Sequence, residues 1–238
     1  MPVRLKYKRV MLKLSGEVLQ GHRDGGIDFE ILRGLCREGV QIKKMGVDVV
    51  IVIGGGNIWR FRDFKDSGLD RVNSDYMGML ATIINGMAMQ DQFEKLGVEA
   101  SALSAINMQV VVGTYLRAKA LDYLQKGKIV ICAGGTGNPF FTTDTAAALR
   151  AVELNCDVLL KATKVDYVYD KDPLTHKNAK KFVKLSYNEM LKREIGVMDL
   201  TAVSLCLATK LPIIVFNLHK KGNIASVVQG KSVGTIIC

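Results

Sequence analysis

The chain is short of the residues that staple or interrupt a fold. Four prolines in 238 residues exclude a collagen-like or polyproline architecture. The five cysteines (Cys36, Cys132, Cys156, Cys206, Cys238) are an odd number without close pairs, which excludes a disulfide scaffold. Four of them lie in apolar stretches and read as reduced packing residues. Three histidines (His22, His176, His219) stand too far apart in sequence for a zinc spacing. No apolar run approaches the ~18 residues of a membrane helix. The basic stretch Met1–Arg9 runs straight into a strand-like segment without an apolar signal core. The expectation is a soluble, cytoplasmic protein with no membrane partner.

What is present is ordinary globular material with an excess of positive charge. The apolar fraction of 48% rules out intrinsic disorder. A chain of this length buries roughly 70–75% of its unfolded surface, as one large domain or two tightly joined lobes. With 33 basic and 23 acidic residues the net charge is +10, which favours anionic ligands or simply marks a solvated basic face. The excess is diffuse: nine basic and four acidic residues between Lys161 and Arg193 give a local +5 without interleaved aromatic residues.

Short Val- and Ile-rich runs alternate with longer segments of helical period. The strand candidates are Val10–Leu14, Val47–Ile53, Gln109–Val112, Lys128–Ala133, Asp157–Lys161, Pro212–Asn217 and Val233–Ile237. Their lack of polar alternation suits parallel strands covered on both faces. Helices are expected over Asp28–Met45, with Ile31, Leu35, Ile42 and Met45 on one face, and over Asp75–Leu96, Leu116–Gln125 and Thr145–Leu154. A further helix, capped by Asp199, carries Leu200, Val203 and Leu207 on one face. A hairpin-like interruption is expected around Val165–Leu185. The alternation predicts an α/β fold: a mainly parallel central sheet with helices on both sides.

Three strand exits carry glycine: Lys13-Leu14-Ser15-Gly16, Gly54-Gly55-Gly56-Asn57 and Gly134-Gly135-Thr136-Gly137-Asn138. Glycine lets main-chain amides approach an anion, and loops at strand C-termini line the ligand crevice of open α/β sheets. One such loop is as readily a plain turn; three in one sheet point to a phosphate-bearing ligand. Neither G-x-x-x-x-G-K-[ST] nor a G-x-G-x-x-G opening a helix after the first strand is present, and protein-kinase signatures are missing. Lys13 reads either as the cation for phosphate oxygens or as an exposed strand-end lysine. Thr142, Thr143 and Asp144 read as ligand groups or as caps of the next helix. Lys161 and Lys164 could meet phosphates and Tyr169 could cover a base, while Asp170–Pro173 also reads as a plain turn.

Taken together, these segments resemble the bacterial UMP kinases of the amino-acid kinase superfamily, over essentially the whole chain. The resemblance lies in Lys13-Leu14-Ser15-Gly16-Glu17, Val52-Ile53-Gly54-Gly55-Gly56-Asn57, Asp75-Tyr76-Met77-Gly78-Met79-Leu80-Ala81-Thr82 and Gly135-Thr136-Gly137-Asn138-Pro139-Phe140-Phe141-Thr142-Thr143-Asp144. It continues in Lys161-Ala162-Thr163-Lys164-Val165-Asp166 and Val197-Met198-Asp199. It implies a three-layer α/β/α sandwich, a single domain over 1–238 with the UMP side mainly N-terminal and the ATP side mainly C-terminal. It also implies transfer of the ATP γ-phosphoryl group to UMP with Mg²⁺ in pyrimidine nucleotide synthesis, a homohexamer, activation by GTP and inhibition by UTP.

Residue by residue, the resemblance assigns Lys13, Leu14, Ser15, Gly16, Gly56, Arg60, Thr163, Tyr169 and Asp172 to ATP. To UMP it assigns Gly55, Asp75, Thr136, Gly137, Asn138, Pro139, Phe140, Phe141, Thr142 and Thr143. Lys13, Arg60 and Lys161 are expected to stabilise the transferring charge, with Asp144 and Asp199 organising Mg²⁺, water or the lysines. No residue is assigned as a direct metal ligand. Gly21, His22, Arg23, Asp24, Gly25 and Gly26 match the segment linked to GTP activation. Phe61 and Tyr167 stand where the family usually has glycine. A kinase for a carboxylate or carbamate shares the fold and ATP loops but would need a different pocket at Asp75 and Phe140–Phe141. A nucleic-acid-binding protein would explain the charge, yet no helix-turn-helix or RNA-recognition pattern is present.

Overall fold

Extended chain sends successive side chains to opposite faces, and the central runs of this sequence are apolar on both. Val10, Leu12 and Leu14 enter one core and Met11 the other; Val49, Ile51 and Ile53 lie with the first set, Val50 and Val52 with the second. Such runs need a helical layer on each side. The computed structural model describes residues 5–173, 175–176 and 178–238, apart from the side chains of residues 64–66. In chain order its elements are β1 (Arg9–Leu14), α1 (Glu17–Gln20), α2 (Phe29–Lys44), β2 (Asp48–Ile53), a 3-10 segment (Phe61–Ser67), α3 (Arg71–Lys95), β3 (Ala100–Ser104), β4 (Gly113–Thr114), α4 (Arg117–Gln125) and β5 (Ile129–Ala133). There follow α5 (Thr143–Glu153), β6 (Val158–Thr163), β7 (Val168–Tyr169), β8 (Lys181–Phe182), β9 (Lys184–Leu185), α6 (Tyr187–Lys192), α7 (Leu200–Thr209), β10 (Ile213–Asn217), α8 (Asn223–Val228) and β11 (Thr235–Ile237).

The main sheet has the order β4-β3-β5-β2-β1-β6-β10-β11-β9, parallel from β4 to β10, with β11 antiparallel to β10. Helices α2, α3 and α8 cover one face and α4, α5 and α7 the other, the expected α/β/α sandwich. The expected interruption is the small antiparallel pair β7–β8. Cys36, Cys132, Cys156 and Cys206 are buried and unpaired, as read; burial pushes the thiols of Cys36, Cys132 and Cys206 up to about 12. Among the described residues no helix is long and apolar enough to cross a membrane.

Three expectations fail in detail. The strand expected at Gln109–Val112 is a turn with Val110 fully exposed, and the strand beside β5 is Ala100–Ser104. On α2 Ile42 is buried and Leu35 and Met45 pack on the core as expected, but the face also takes in Leu32, Cys36, Gly39 and Val40, and Ile31 is exposed. On α7 the buried set is Ala202, Val203 and Cys206, with Leu200 71% exposed. Asp28 and Asp199 cap these helices, accepting from Glu30 and Ile31 N–H and from Ala202 N–H respectively. The cap fixes where each helix starts, and packing then selects the face.

The loops after β1 and β2 are held against each other by close contact and by two buried amides. A Cβ on Gly16 would stand 2.5 Å from the Gly54 carbonyl oxygen and 2.6 Å from Gly56 N, so only glycine lets these loops touch. Asn85 of α3, fully buried, donates to the Gly54 carbonyl at 2.8 Å and exchanges side-chain hydrogen bonds with Asn57 at 2.7 and 3.0 Å. Asn57 in turn donates to the Gly26 carbonyl at 2.8 Å. Asn85→Ala removes the donor to the Gly54 carbonyl and the Asn57 amide partner, so about 1–3 kcal/mol of stability should be lost. A lower urea midpoint with an unchanged slope is the expected reading; an unshifted midpoint would show that the loop does not depend on this amide.

Candidate active site

Parallel pairing of β1 with β6 sets Lys13 directly beside Lys161. Both point to the face covered by α5 and α7, and both are nearly buried, with side chains 12% and 13% exposed. Two neighbouring ammonium groups in a poorly solvated place repel strongly unless an anion lies between them. Asp144, in the first turn of α5, supplies it: Oδ1 is 2.7 Å from Lys13 Nζ and Oδ2 is 2.5 Å from Lys161 Nζ. Lys161 also donates to the Val197 carbonyl at 2.5 Å. Asp144 Oδ1 makes no aligned hydrogen bond; its partner is the Lys13 charge alone.

Asp144 is pulled two ways. Burial pushes its carboxyl up, but Lys13 and Lys161 together hold it below the usual carboxylate range. Burial lowers Lys161 first of all; Asp144 opposes this and Lys13 adds to it, leaving the amine below its ordinary value. Asp144 lies at the start of a helix, where backbone dipoles favour a negative charge. Thr142 caps that helix, accepting from Asp144 and Thr145 N–H at 3.0 and 3.2 Å. Its hydroxyl donates to Asp199 Oδ2 at 2.6 Å and Thr145 donates to Asp199 Oδ1 at 2.9 Å, tying α5 to α7. Thr142 is therefore the cap, and Asp144 and Asp199 are the organisers of lysines and hydroxyls.

Two clefts lie near the triad, and Lys13, Asp144 and Lys161 are in the wall of neither. One, of about 470 Å³, is walled by Gly55, Gly56, Asp75, Asn138, Phe141 and Thr142, among others. The other, of about 380 Å³, includes Thr163, Tyr167, Tyr169, Asp172 and Val197 in its wall. Lys161 reaches the second through Val197, and Asp144 the first through the helix start at Thr142 and Thr143. In the loop after β5, Gly134, Gly135 and Gly137 all have positive φ, which coils the chain tightly enough to bring Asn138 and Phe141 to the first cleft.

Arg60 is not gathered with the lysines. Its guanidinium turns to α1, 3.4 Å from Glu17 Oε1 and 3.3 Å from Gln20 Oε1, and its Nε donates to the Gly56 carbonyl. Glu17 also meets Arg62 at 3.7 Å and Lys164 at 3.9 Å. Of the segment Gly21–Gly26, Asp24, Gly25 and Gly26 border a third cleft of about 400 Å³ together with Arg60, whereas Gly21, His22 and Arg23 do not; Gly26 N–H donates to the Asn57 carbonyl and Gln20 Nε2 to the Arg23 carbonyl.

The remaining assigned residues divide. Leu14 buries its side chain in the core and its carbonyl accepts from Gly54 N–H; Gly16 is buried against the loop after β2, while Lys13 and Ser15 are half-buried. Thr136 hydrogen-bonds within its own turn, to Asn138, and Thr136, Gly137, Pro139 and Phe140 stand outside the wall of the first cleft. Asp75 accepts from Arg71 Nε at 2.9 Å and from Phe140 N–H at 2.8 Å. Glu17, Gln20, Trp59 and Arg71 were not singled out by sequence; Arg71 carries a readable signal, lying one helical turn before Asp75.

Among the described residues no three His, Cys, Asp or Glu side chains converge on one point. Both Asp144 oxygens face ammonium groups, and both Asp199 oxygens accept hydrogen bonds. This donor set fits Mg²⁺ carried on nucleotide phosphates, which keeps waters and takes at most one or two protein carboxylates. It does not fit an ion held by the chain alone.

Residues 8–217 match the model of the amino acid kinase family. Among solved structures, UMP kinase from Bacillus anthracis is 38% identical with a TM-score of 0.95, covering 97% of this chain and 96% of that one. UMP kinase from Ureaplasma parvum is 36% identical with a TM-score of 0.93, covering 98% and 99%. Uridylate kinase from Archaeoglobus fulgidus is 28% identical with a TM-score of 0.75, covering 96% and 99%.

Because the folded Asp144 carboxyl is held below its unfolded value of about 3.9, its stabilisation is complete above that range and is lost as the pH falls through the depressed value. Asp144→Asn leaves two buried ammonium groups without a counter-charge and should cost about 3–5 kcal/mol near neutral pH. The gap between the two proteins should close in acid. Denaturant titrations at several pH values test this, and a gap independent of pH would refute the charge argument.

Proposed function

The chain belongs to the amino acid kinase family, and from that premise we propose that it is a UMP kinase, transferring the γ-phosphoryl group of ATP to UMP to give UDP and ADP. The observation that carries the reading is the buried Lys13–Asp144–Lys161 triad, whose neighbours Val197 on one side and Thr142 and Thr143 on the other line two separate clefts. ATP takes the 380 Å³ cleft, with Tyr169, Thr163 and Asp172 at its base and ribose side, and UMP the 470 Å³ cleft, with Asp75 toward the ribose. The N-terminal part thus serves mainly UMP and the C-terminal part mainly ATP. Supporting this, the two similar bacterial structures are UMP kinases.

Phosphoryl transfer needs two anions held in line and charge stabilised as it moves between oxygens. Lys13 and Lys161, fixed by Asp144, do this without reorganising. A general base is unnecessary, because the acceptor phosphate is already largely ionised (second pKa about 6). Asp144, its oxygens both engaged by lysines, is unsuited to that role. Mg²⁺ arrives with ATP and adds positive charge to its phosphates; Ser15, Gly16 and Gly56 offer main chain to the same end of the nucleotide. Arg60 reaches the phosphates on leaving Glu17.

The reading extends to a cytoplasmic homohexamer in pyrimidine nucleotide synthesis, activated by GTP through Gly21–Gly26 and inhibited by UTP. The hydrogen bonds from that segment to Asn57 and, through Gln20, toward Arg60 support a route from effector to site. Assembly is supported by α3, which leaves Tyr76, Leu80, Ile84 and Met87 exposed along one line.

An ADP-release assay with Mg-ATP should show strong preference for UMP over CMP, dUMP, acetylglutamate and carbamate, and faster turnover with GTP. Preference for a carboxylate acceptor would keep the fold and overturn the Asp75 and Phe141 assignments. Lys13→Ala should reduce kcat by about 10²–10³-fold with a much smaller change in UMP binding; near-normal turnover would remove its role. Ile84→Glu should shift sedimentation toward smaller species, and unchanged assembly would exclude the α3 face as a contact.

A further inference from the structure

Beside Asp75 lies a stack that phosphoryl transfer itself does not call for. Phe61 begins the 3-10 segment, Arg71 and Asp75 lie one turn apart on α3, and Phe140 belongs to the loop after β5. The Arg71 guanidinium is 4.6 Å from the Phe61 ring centroid and 5.8 Å from that of Phe140. Its Nε donates to Asp75 Oδ1 at 2.9 Å, while Phe140 N–H donates to Asp75 Oδ2 at 2.8 Å. Phe140 has φ +69°, a conformation that favours glycine, and its side chain is 67% exposed. Burial does not hold it there; its contacts with Asp75 and Arg71 do.

The Arg71 side chain is 47% exposed, so its ion pair with Asp75 alone would fix little. Aromatic rings restrict the guanidinium and thereby its direction. The result is a carboxylate with each oxygen already accepting one bond. Each oxygen has two lone pairs, so one remains on each. That is the acceptor pattern for a vicinal diol, one hydroxyl to each oxygen, with the orientation settled before binding.

We propose that the Phe61–Arg71–Phe140 stack positions Asp75 as a pre-oriented acceptor for the two ribose hydroxyls of the acceptor nucleotide, so that selection against a 2′-deoxynucleotide depends on Phe61 and Arg71. The proposal rests on the reading of this cleft as the UMP site. A carboxylate free to turn would adapt to one hydroxyl; one held on both sides keeps its second lone pair without a donor on one oxygen when the second hydroxyl is missing, and a site built for a hydroxyl discriminates against its absence. Phe61 and Arg71 are positioning residues, acting through Asp75.

The test is steady-state kinetics of the intact enzyme with UMP and dUMP, for the parent, Phe61→Gly, Phe61→Tyr and Arg71→Ala. Phe61→Gly and Arg71→Ala should raise KM for UMP more than they lower kcat, leave KM for ATP in place, and shrink the UMP-to-dUMP ratio of kcat/KM by roughly three- to tenfold, the net worth of about one hydrogen bond. Phe61→Tyr keeps the ring and should keep the ratio. An unchanged ratio in both Phe61→Gly and Arg71→Ala overturns the proposal, as does equal loss toward both nucleotides. Trp59, the sole tryptophan, lines the same cleft and donates to Ser74 Oγ at 2.9 Å, so its fluorescence reports UMP binding without turnover. A parent that neither turns over UMP nor shows a saturable fluorescence change defeats the cleft assignment and this inference with it; a parent that does both, with variants of unaltered ratio, defeats the stack alone.

Discussion

Everything at the centre of this molecule depends on one carboxylate between two lysines. Parallel register forces Lys13 and Lys161 together on adjacent strands, and neither can move away without breaking the pairing of β1 with β6. Left alone, the pair would oppose folding at the middle of the sheet. With Asp144 the same pair becomes a fixed source of net positive charge in a place of low dielectric, where charge is felt most strongly. The requirement propagates outward. Asp144 must sit at the head of α5, Thr142 must cap that helix, and Asp199 must hold Thr142 and Thr145 so that α5 and α7 do not part. A chain of hydrogen bonds in the second layer thus exists to keep two ammonium groups still.

Stillness matters because a phosphoryl group leaves one oxygen for another with little covalent help. Groups that must reorient as charge develops give part of their stabilisation back; groups already held do not. The three glycine-bearing loops serve the same end from the other side. They leave β1, β2 and β5 at one edge of the sheet, and at Gly16 they pack main chain on main chain. The buried Asn57–Asn85 pair then supplies a hydrogen bond that the buried Gly54 carbonyl would otherwise lack.

Much of this could be read from the chain. The strand runs with apolar residues on both faces, the cap Asp199, the helix start at Asp28, the glycine exits and the hairpin before β9 are local properties and were legible as such. What failed was set by tertiary packing. Ala100–Ser104 has no β-branched residue and becomes a strand because β5 lies beside it, whereas Gln109–Val112 has three valines and no neighbour to pair with. Leu200 and Leu207 fit a helical period, yet α7 buries the smaller Ala202 and Cys206 because α5 crosses closely there. Within the site, residue types were readable and partners were not. Nothing in the sequence tells that Arg60 faces Glu17, that Leu14 points inward, or that Arg71 lies between two phenylalanines.

The cations of this strongly basic chain are neutralised in two different ways, and the difference follows burial. Asp144 is 14% exposed and its lysines slightly less, so removing either side leaves a charge that water hardly reaches. Glu17 is 35% exposed and meets Arg60, Arg62 and Lys164 only at 3.4–3.9 Å. Pairs of that kind are worth at most about 1 kcal/mol and are easily exchanged. On the proposed reading, an incoming phosphate competes with Glu17 for Arg60 rather than with Asp144 for its lysines, because only the exposed pairs are weak enough to exchange. One fold thus holds a rigid centre and an exchangeable rim, and the two are separated by nothing more than the depth at which each carboxylate sits.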